Sequence, residues 1–145
     1  MQLTSQQAPS ETTMSYTQML ERVRYNGAYP TRERAEAVTA DVLTALGRQL
    51  THHDRVDLAA HLPHEAARIL TAQNPGTQTQ SLTGWAFVKD LATRTGGTPA
   101  TTRWDVGSVL GVVAHLAGPT VDHILTHLPS GYAILFGRAE LLQAA

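Results

Sequence analysis

The sequence predicts an all-α protein, a helical bundle of about eight helices built from two repeated four-helix halves. The first observation is a repeat: Ala60-His61-Leu62-Pro63 recurs 66 residues later as Thr126-His127-Leu128-Pro129. The second is that apolar residues recur with a helical period, and no segment alternates as a strand would. At the same offset apolar residues match in one register, which indicates a duplicated unit: Leu43 with Val109, Leu46 with Val112, Leu58 with Ile124, and Leu70 with Phe136.

The first half, residues 15–70, is expected to begin with a helix over about residues 16–25. Ser15 and Gln18 have the spacing of a capping box, in which each side chain satisfies the backbone N–H of the other residue. Asn26-Gly27 is expected to end this helix, because asparagine and glycine are common at helix C-termini.

Three further helices complete the first half. Thr31 is the expected N-cap of a longer helix that keeps its apolar period as far as Gln49. A third helix is expected over about residues 53–61, with Asp54 placed favourably near its N-terminus. Pro63 closes that helix and opens a short fourth one, because proline lacks an N–H but is well suited to a first turn.

The segments between and before these helices are polar. Residues 71–82 are rich in Gln, Thr, Asn, Pro and Gly and are expected to form a linker. Residues 1–14 have few apolar side chains and are expected to be a disordered tail. The organisation that follows is one helical domain over 15–140, because a half of roughly 55 residues would have too small a core to be stable alone.

The second half, residues 83–140, repeats the pattern. Thr83 is expected to cap its first helix, and Gly96-Gly97 to end it. The second long helix is the most apolar, and its glycines at 107 and 111 are expected to allow close helix packing. Gly118-Pro119 and Pro129 should then begin the last two helices.

Composition excludes several functional classes. The chain has no cysteine, so disulfides, thiolate zinc sites and cysteine nucleophiles are ruled out, and a cytoplasmic location is expected. Eleven basic residues face twelve acidic ones in 145 residues, which leaves a net charge of −1 and no field to attract nucleic acid or an anionic membrane. The longest apolar stretch, 106–117, is too short to span a bilayer.

Four segments together resemble the bacterial family called domain of unknown function 2267, over about residues 15–137. The resemblance implies a small all-helical protein with no established activity and no catalytic motif. Members of that family often have glutamine where His61 and His127 stand, which argues against an obligatory role for these histidines. The segments that carry the resemblance are Tyr16-x-x-Met19-Leu20-x-x-Val23, Ala35-x-Ala37-Val38 to Leu46-Gly47, Asp57-Leu58-Ala59-Ala60-His61-Leu62-Pro63, and Leu128-Pro129-x-x-Tyr132-x-x-Leu135-Phe136.

The sequence also places possible metal ligands symmetrically. Asp57 with His61, and His123 with His127, are each spaced i, i+4 on a helix, a spacing that lets two side chains reach one ion. If the halves met at these helices, the four residues could form one metal site. The alternative is a solvated polar face, because Ile124 and Leu125 point the other way on the helical wheel.

Three aromatic residues are candidates for a groove between the halves. Trp85, Trp104 and Tyr132 could line a site for an apolar ligand or a partner helix, although such rings more often fill the core. The function expected from the whole sequence is a non-catalytic helical module that binds an unidentified protein partner or small ligand, with no cofactor. The alternatives left open are a metal-binding protein and an enzyme with a histidine base.

Overall fold

The computed structural model describes residues 14–72 and 81–138, and this part of the chain is entirely helical with no strand. The all-α prediction is therefore confirmed for the described residues. Three predicted segments lie wholly or mostly outside the described residues: the tail before Met14, most of the linker, and the end of the domain after Arg138. The eight helices are α1 (Tyr16–Gly27), α2 (Arg32–Gln49), α3 (His52–Ala59), α4 (His64–Thr71), α5 (Gly84–Thr95), α6 (Pro99–Ala117), α7 (Pro119–Leu125) and α8 (Tyr132–Leu135).

Hydroxyl N-caps set the starts of five of the eight described helices, and three of these caps were predicted from the local sequence. Ser15 and Gln18 form a complete capping box at α1. The side chains of Thr31 and Thr83 accept the expected backbone hydrogen bonds at α2 and α5. Each cap satisfies an N–H group that would otherwise have no partner within the helix.

Helix α1 is longer than expected, because it continues through Gly27. Ala28 adopts the left-handed C-cap conformation instead, with φ of 55°. The ring of Tyr29 lies against the Cα of Gly27, where a Cβ would collide with it. Glycine at this position therefore serves a close approach between side chain and backbone rather than the turn itself.

The two His-Leu-Pro segments lead to different structures. Pro63 immediately precedes α4, as expected. Pro129 does not begin the last helix, which is a correction, because a turn through Ser130 and Gly131 comes first. Gly131 has φ of 98°, and the N–H of Gly84 donates to the carbonyl of Ser130 over 2.9 Å. This close contact between the turn and α5 requires glycine and delays α8 until Tyr132.

One hydrophobic cluster joins both parts of the chain. The two long helices α2 and α6 pack against each other, α1 packs on both of them, and so does α5. Helix α3 contacts α7 at one end of this arrangement. The cluster runs in sequence from Met19 to Phe136 and includes residues from both stretches of helices. The repeat of a four-helix unit stays a prediction.

Helix α6 differs from expectation along one edge. A Cβ placed on Gly111 would meet nothing within 4 Å among the described residues, and one on Gly107 would meet only the guanidinium of Arg103. These glycines therefore do not serve close helix packing.

None of the described helices is both long and apolar enough to cross a membrane alone. Helices α6 and α7 pass that test only as a pair, and the chain bends by 118° between them.

Candidate functional site

A partly enclosed cavity of about 280 Å³ lies between the two long helices and the end of α5. We refer to it as the long-helix cavity. Its apolar floor comes from Val38, Val42 and Leu91. Its polar lining consists of Arg34 and Asp41 on α2, Thr95, Gly96 and Gly97 at the end of α5, and Thr101, Thr102 and Asp105 on α6.

Helical spacing explains how these side chains come together. Arg34, Val38 and Asp41 follow one another at four and three residues, so they share one face of α2. Thr101 and Asp105 share a face of α6 for the same reason. Helix α5 stops at Gly96, whose φ of 79° turns the chain away and leaves the space between the long helices unfilled.

The carboxyl group of Asp41 is in an unfavourable electrostatic position. Desolvation raises its pKa, Arg34 acts in the opposite direction, and the negative charge of Asp105 raises the pKa by a smaller amount. The Tyr29 hydroxyl donates a hydrogen bond of 2.6 Å to Oδ1 of Asp105 and fixes its orientation. Burial, and then this hydrogen bond, raise the pKa of Tyr29. The cavity therefore presents two carboxylates, and one of them is held in place.

The three aromatic residues predicted to line a groove lie in different environments. Trp85 is 60% exposed, and the ammonium group of Lys89 lies 5.9 Å from the ring centroid. Trp104 is 57% exposed, and its indole N–H donates to the carbonyl of Gly27 over 3.0 Å. It lines a separate open cavity of about 320 Å³ with Asn26, Arg103, Gly107 and Ser108.

Tyr132 is a core residue, which corrects its assignment to a groove. Its side chain is fully buried, its ring lies 5.5 Å from that of Phe87, and its hydroxyl donates to the carbonyl of Leu82. A buried tyrosine is tolerated where its hydroxyl finds a partner, as it does here. Burial also raises the pKa of Tyr132.

The four predicted metal ligands are distributed over three contacts. Asp57 pairs with His53, with 3.1 Å between Oδ2 and Nε2. His61 shares a hydrogen bond of 3.0 Å with the hydroxyl of Thr120. His123 and His127 do lie together, with ring centroids 4.7 Å apart.

A residue outside the predicted set joins this histidine pair. Oδ2 of Asp54 lies 2.8 Å from Nδ1 of His127. Asp54, His123 and His127 each offer a ligand atom within 4.8 Å of the others, and this group includes neither Asp57 nor His61. Sequence reasoning placed Asp54 at the N-terminus of α3 and missed its contact with a residue 73 positions away. The 66-residue offset of the repeat relates this contact to the one between His61 and Thr120, because Asp54 corresponds to Thr120 and His61 to His127.

The family described as "Uncharacterized conserved protein (DUF2267)" matches residues 16–135 of the chain. The matched region includes all eight helices and both features described above. No curated protein matches the chain.

Proposed function

The chain belongs to this DUF2267 family of uncharacterised conserved proteins, and we propose from its geometry that it is a non-catalytic binding module whose ligand is a small organic cation. The ligand would lie in the long-helix cavity. The observation that carries the proposal is that Asp41 and Asp105, one on each long helix, line the same partly enclosed space.

The charges around the cavity favour a positive group. The two negative charges of Asp41 and Asp105 outweigh the single positive charge of Arg34, which leaves a net charge of −1 on the lining. Helix α5 ends at the cavity, and the C-terminal end of a helix carries partial negative charge. An ammonium group between the carboxylates would offset the desolvation that mainly raises the pKa of Asp41, and the smaller repulsion from Asp105.

The first turn of α6 does not reverse this preference. A helix N-terminus attracts anions through its free N–H groups. Here the N–H groups of Thr101 and Thr102 already donate to the hydroxyl and carbonyl of Thr98. The hydroxyls of Thr95 and Thr101 already donate to the carbonyls of Leu91 and Thr98, so they would offer a ligand acceptors rather than donors.

The size of the cavity limits the ligand. At about 280 Å³ it lies just below the range for small-molecule sites, roughly 300–1,000 Å³. A ligand smaller than a typical drug molecule is therefore expected. A short alkyl chain would contact Val38, Val42 and Leu91, while the ammonium group faces the carboxylates.

Calorimetric titration with two probes of matched size tests the proposal. Butylammonium should bind and butyrate should not, because the chains are alike and only the charge differs. Asp41→Asn and Asp105→Asn should each weaken butylammonium binding by about tenfold, the equivalent of about 1.4 kcal/mol for one close charge pair. Asp90→Asn is the matched control, because Asp90 pairs with Arg94 on α5 and does not line the cavity. Equal binding of butyrate, or unchanged binding by the Asp41→Asn variant, would contradict the proposal.

A further inference from the structure

Two histidines and a buried carboxylate meet where α7 contacts α3. His123 lies in α7 and His127 in the turn that follows, and their rings meet edge to face at 80°. Both histidines are exposed to solvent, whereas Asp54 in the first turn of α3 is 1% exposed. The cluster thus has a solvent-facing imidazole pair above a buried acid.

The buried acid is only half satisfied. Oδ2 of Asp54 bonds to His127, but Oδ1 is buried and has no hydrogen-bond partner among the described residues. Buried polar atoms without a partner are rare in native proteins. The bond to His127 is the one side-chain hydrogen bond that the described residues give this carboxylate. The position of Asp54 near the N-terminus of α3 offsets part of the cost of burying its charge.

The hydrogen bond to Asp54 defines which nitrogen of His127 is free. A carboxylate oxygen only accepts, so Nδ1 of His127 donates, and in the neutral imidazole Nε2 then carries the lone pair. A carboxylate behind an imidazole in this way fixes the ring and raises its basicity as a metal ligand. The His127 side chain is 45% exposed, so an ion from solvent can reach the ring.

His123 can supply the second nitrogen. Tetrahedral coordination with metal–nitrogen distances of roughly 2.0–2.1 Å places two ligand nitrogens about 3.3 Å apart. The ring centroids of His123 and His127 lie 4.7 Å apart. Binding one ion would therefore require the exposed rings to turn so that a nitrogen of each faces the same point.

The contact between His61 and Thr120 is an internal comparison. His61 lies 66 residues before His127, and Thr120 lies 66 residues after Asp54. Each of the two contacts joins the region of α3 to the region of α7. The comparison contact has a neutral hydroxyl in place of the carboxylate, and Asp57 occupies the position of His123. Only one of the two contacts therefore combines two imidazoles with a buried acid.

We propose that His123 and His127 bind a divalent transition-metal ion, with Asp54 as the residue that positions His127. Imidazole nitrogen favours Zn²⁺, Ni²⁺ and Cu²⁺, whereas Mg²⁺ and Ca²⁺ favour oxygen ligands. Water completes the coordination on the exposed side. This site uses none of the residues of the long-helix cavity, so the two proposals stand or fall separately.

Titration of the tag-free, EDTA-treated full chain with Zn²⁺ tests the site. One equivalent should bind, and His123→Ala and His127→Ala should each abolish that binding. Asp54→Asn should weaken it by about 10- to 100-fold, as is usual for a residue that orients a metal ligand. His61→Ala is the matched control, because His61 makes the corresponding contact without a buried acid. Saturable binding that survives His123→Ala, or that His61→Ala weakens as much, would overturn the proposal.

A spectroscopic measurement separates positioning from a purely structural role of Asp54. In the metal-free protein, ¹⁵N shifts of the neutral His127 ring should indicate a protonated Nδ1 and an unprotonated Nε2. Asp54→Asn should shift the ring toward a mixture of the two tautomers. A ring whose tautomer is the same in both proteins would contradict the positioning role of Asp54.

Discussion

Oδ2 of Asp54 lies 2.8 Å from Nδ1 of His127 and joins α3 to the end of α7 across 73 residues of sequence. The side chain of Asp54 is 2% exposed, whereas that of His127 is 45% exposed. Removal of the histidine side chain should therefore lower the stability of the protein, because it leaves a buried carboxylate without a partner.

His127→Ala should destabilise the protein by about 1–3 kcal/mol, the usual cost of leaving a buried polar group unsatisfied. Asp54→Asn combined with His127→Ala should cost less than the sum of the two single changes, because the orphaned charge is then absent. Urea unfolding of the four proteins in a double-mutant cycle measures this coupling. Strict additivity would mean that the contact contributes nothing.

Tyr29→Phe should destabilise the protein by about 1.5 kcal/mol at pH 8, because it removes a hydrogen bond to a carboxylate. Burial raises the pKa of Tyr29 in the folded state above its ordinary value near 10. The stabilisation is therefore complete below pH 10 and is lost as pH rises further. Urea unfolding should show that the free energy of unfolding falls less between pH 8 and pH 10.5 for Tyr29→Phe than for the wild type. An equal fall in the two proteins would contradict the assignment.

Asp41→Asn should raise the stability at pH 7, in contrast to most changes in a cavity. The pKa of Asp41 is raised in the folded protein, so the folded state binds its proton more tightly than the unfolded state does. The wild type therefore loses stability as pH rises through this pKa, and the amide does not. Melting temperatures of the two proteins should differ more at pH 7 than at pH 3.5. A larger difference at pH 3.5 would contradict this prediction.

Two glycines in helices should respond oppositely to alanine. Gly27→Ala should cost about 1–3 kcal/mol, because the new Cβ meets the ring of Tyr29, which Asp105 holds in place. Gly111→Ala should add about 0.5–1 kcal/mol, because the described residues leave open space there and alanine favours the helix. Thermal unfolding of both variants provides the comparison, and a gain at Gly27 would argue against the close approach.

The features that the sequence predicted correctly depend on neighbouring residues. Thr31 and Thr83 were identified as caps because a hydroxyl before an apolar period acts on N–H groups three residues away. Gly131 shows the limit of this reasoning, because its left-handed conformation reflects contact with Gly84, 47 residues earlier in sequence.

The candidate sites depend on contacts between distant helices and could be predicted only in part. Arg34 and Asp41 can be placed on one face of α2 from their spacing, but their proximity to Asp105 follows from how the long helices cross. The pair of His123 and His127 was predicted from spacing, whereas Asp54 required the packing of α3 on α7. Tyr132 was misplaced because its buried hydroxyl partner, the Leu82 carbonyl, is 50 residues away.

The most direct test of the account is an amide NMR titration of the ¹⁵N-labelled chain with butylammonium, because it locates the ligand as well as detecting it. We predict saturable shifts concentrated around Asp41 and in the segment from Thr95 to Asp105, and their loss in the Asp41→Asn variant. Butyrate at the same concentrations should leave these signals in place. Shifts that lie elsewhere, or that butyrate reproduces, would contradict a cation site between the long helices.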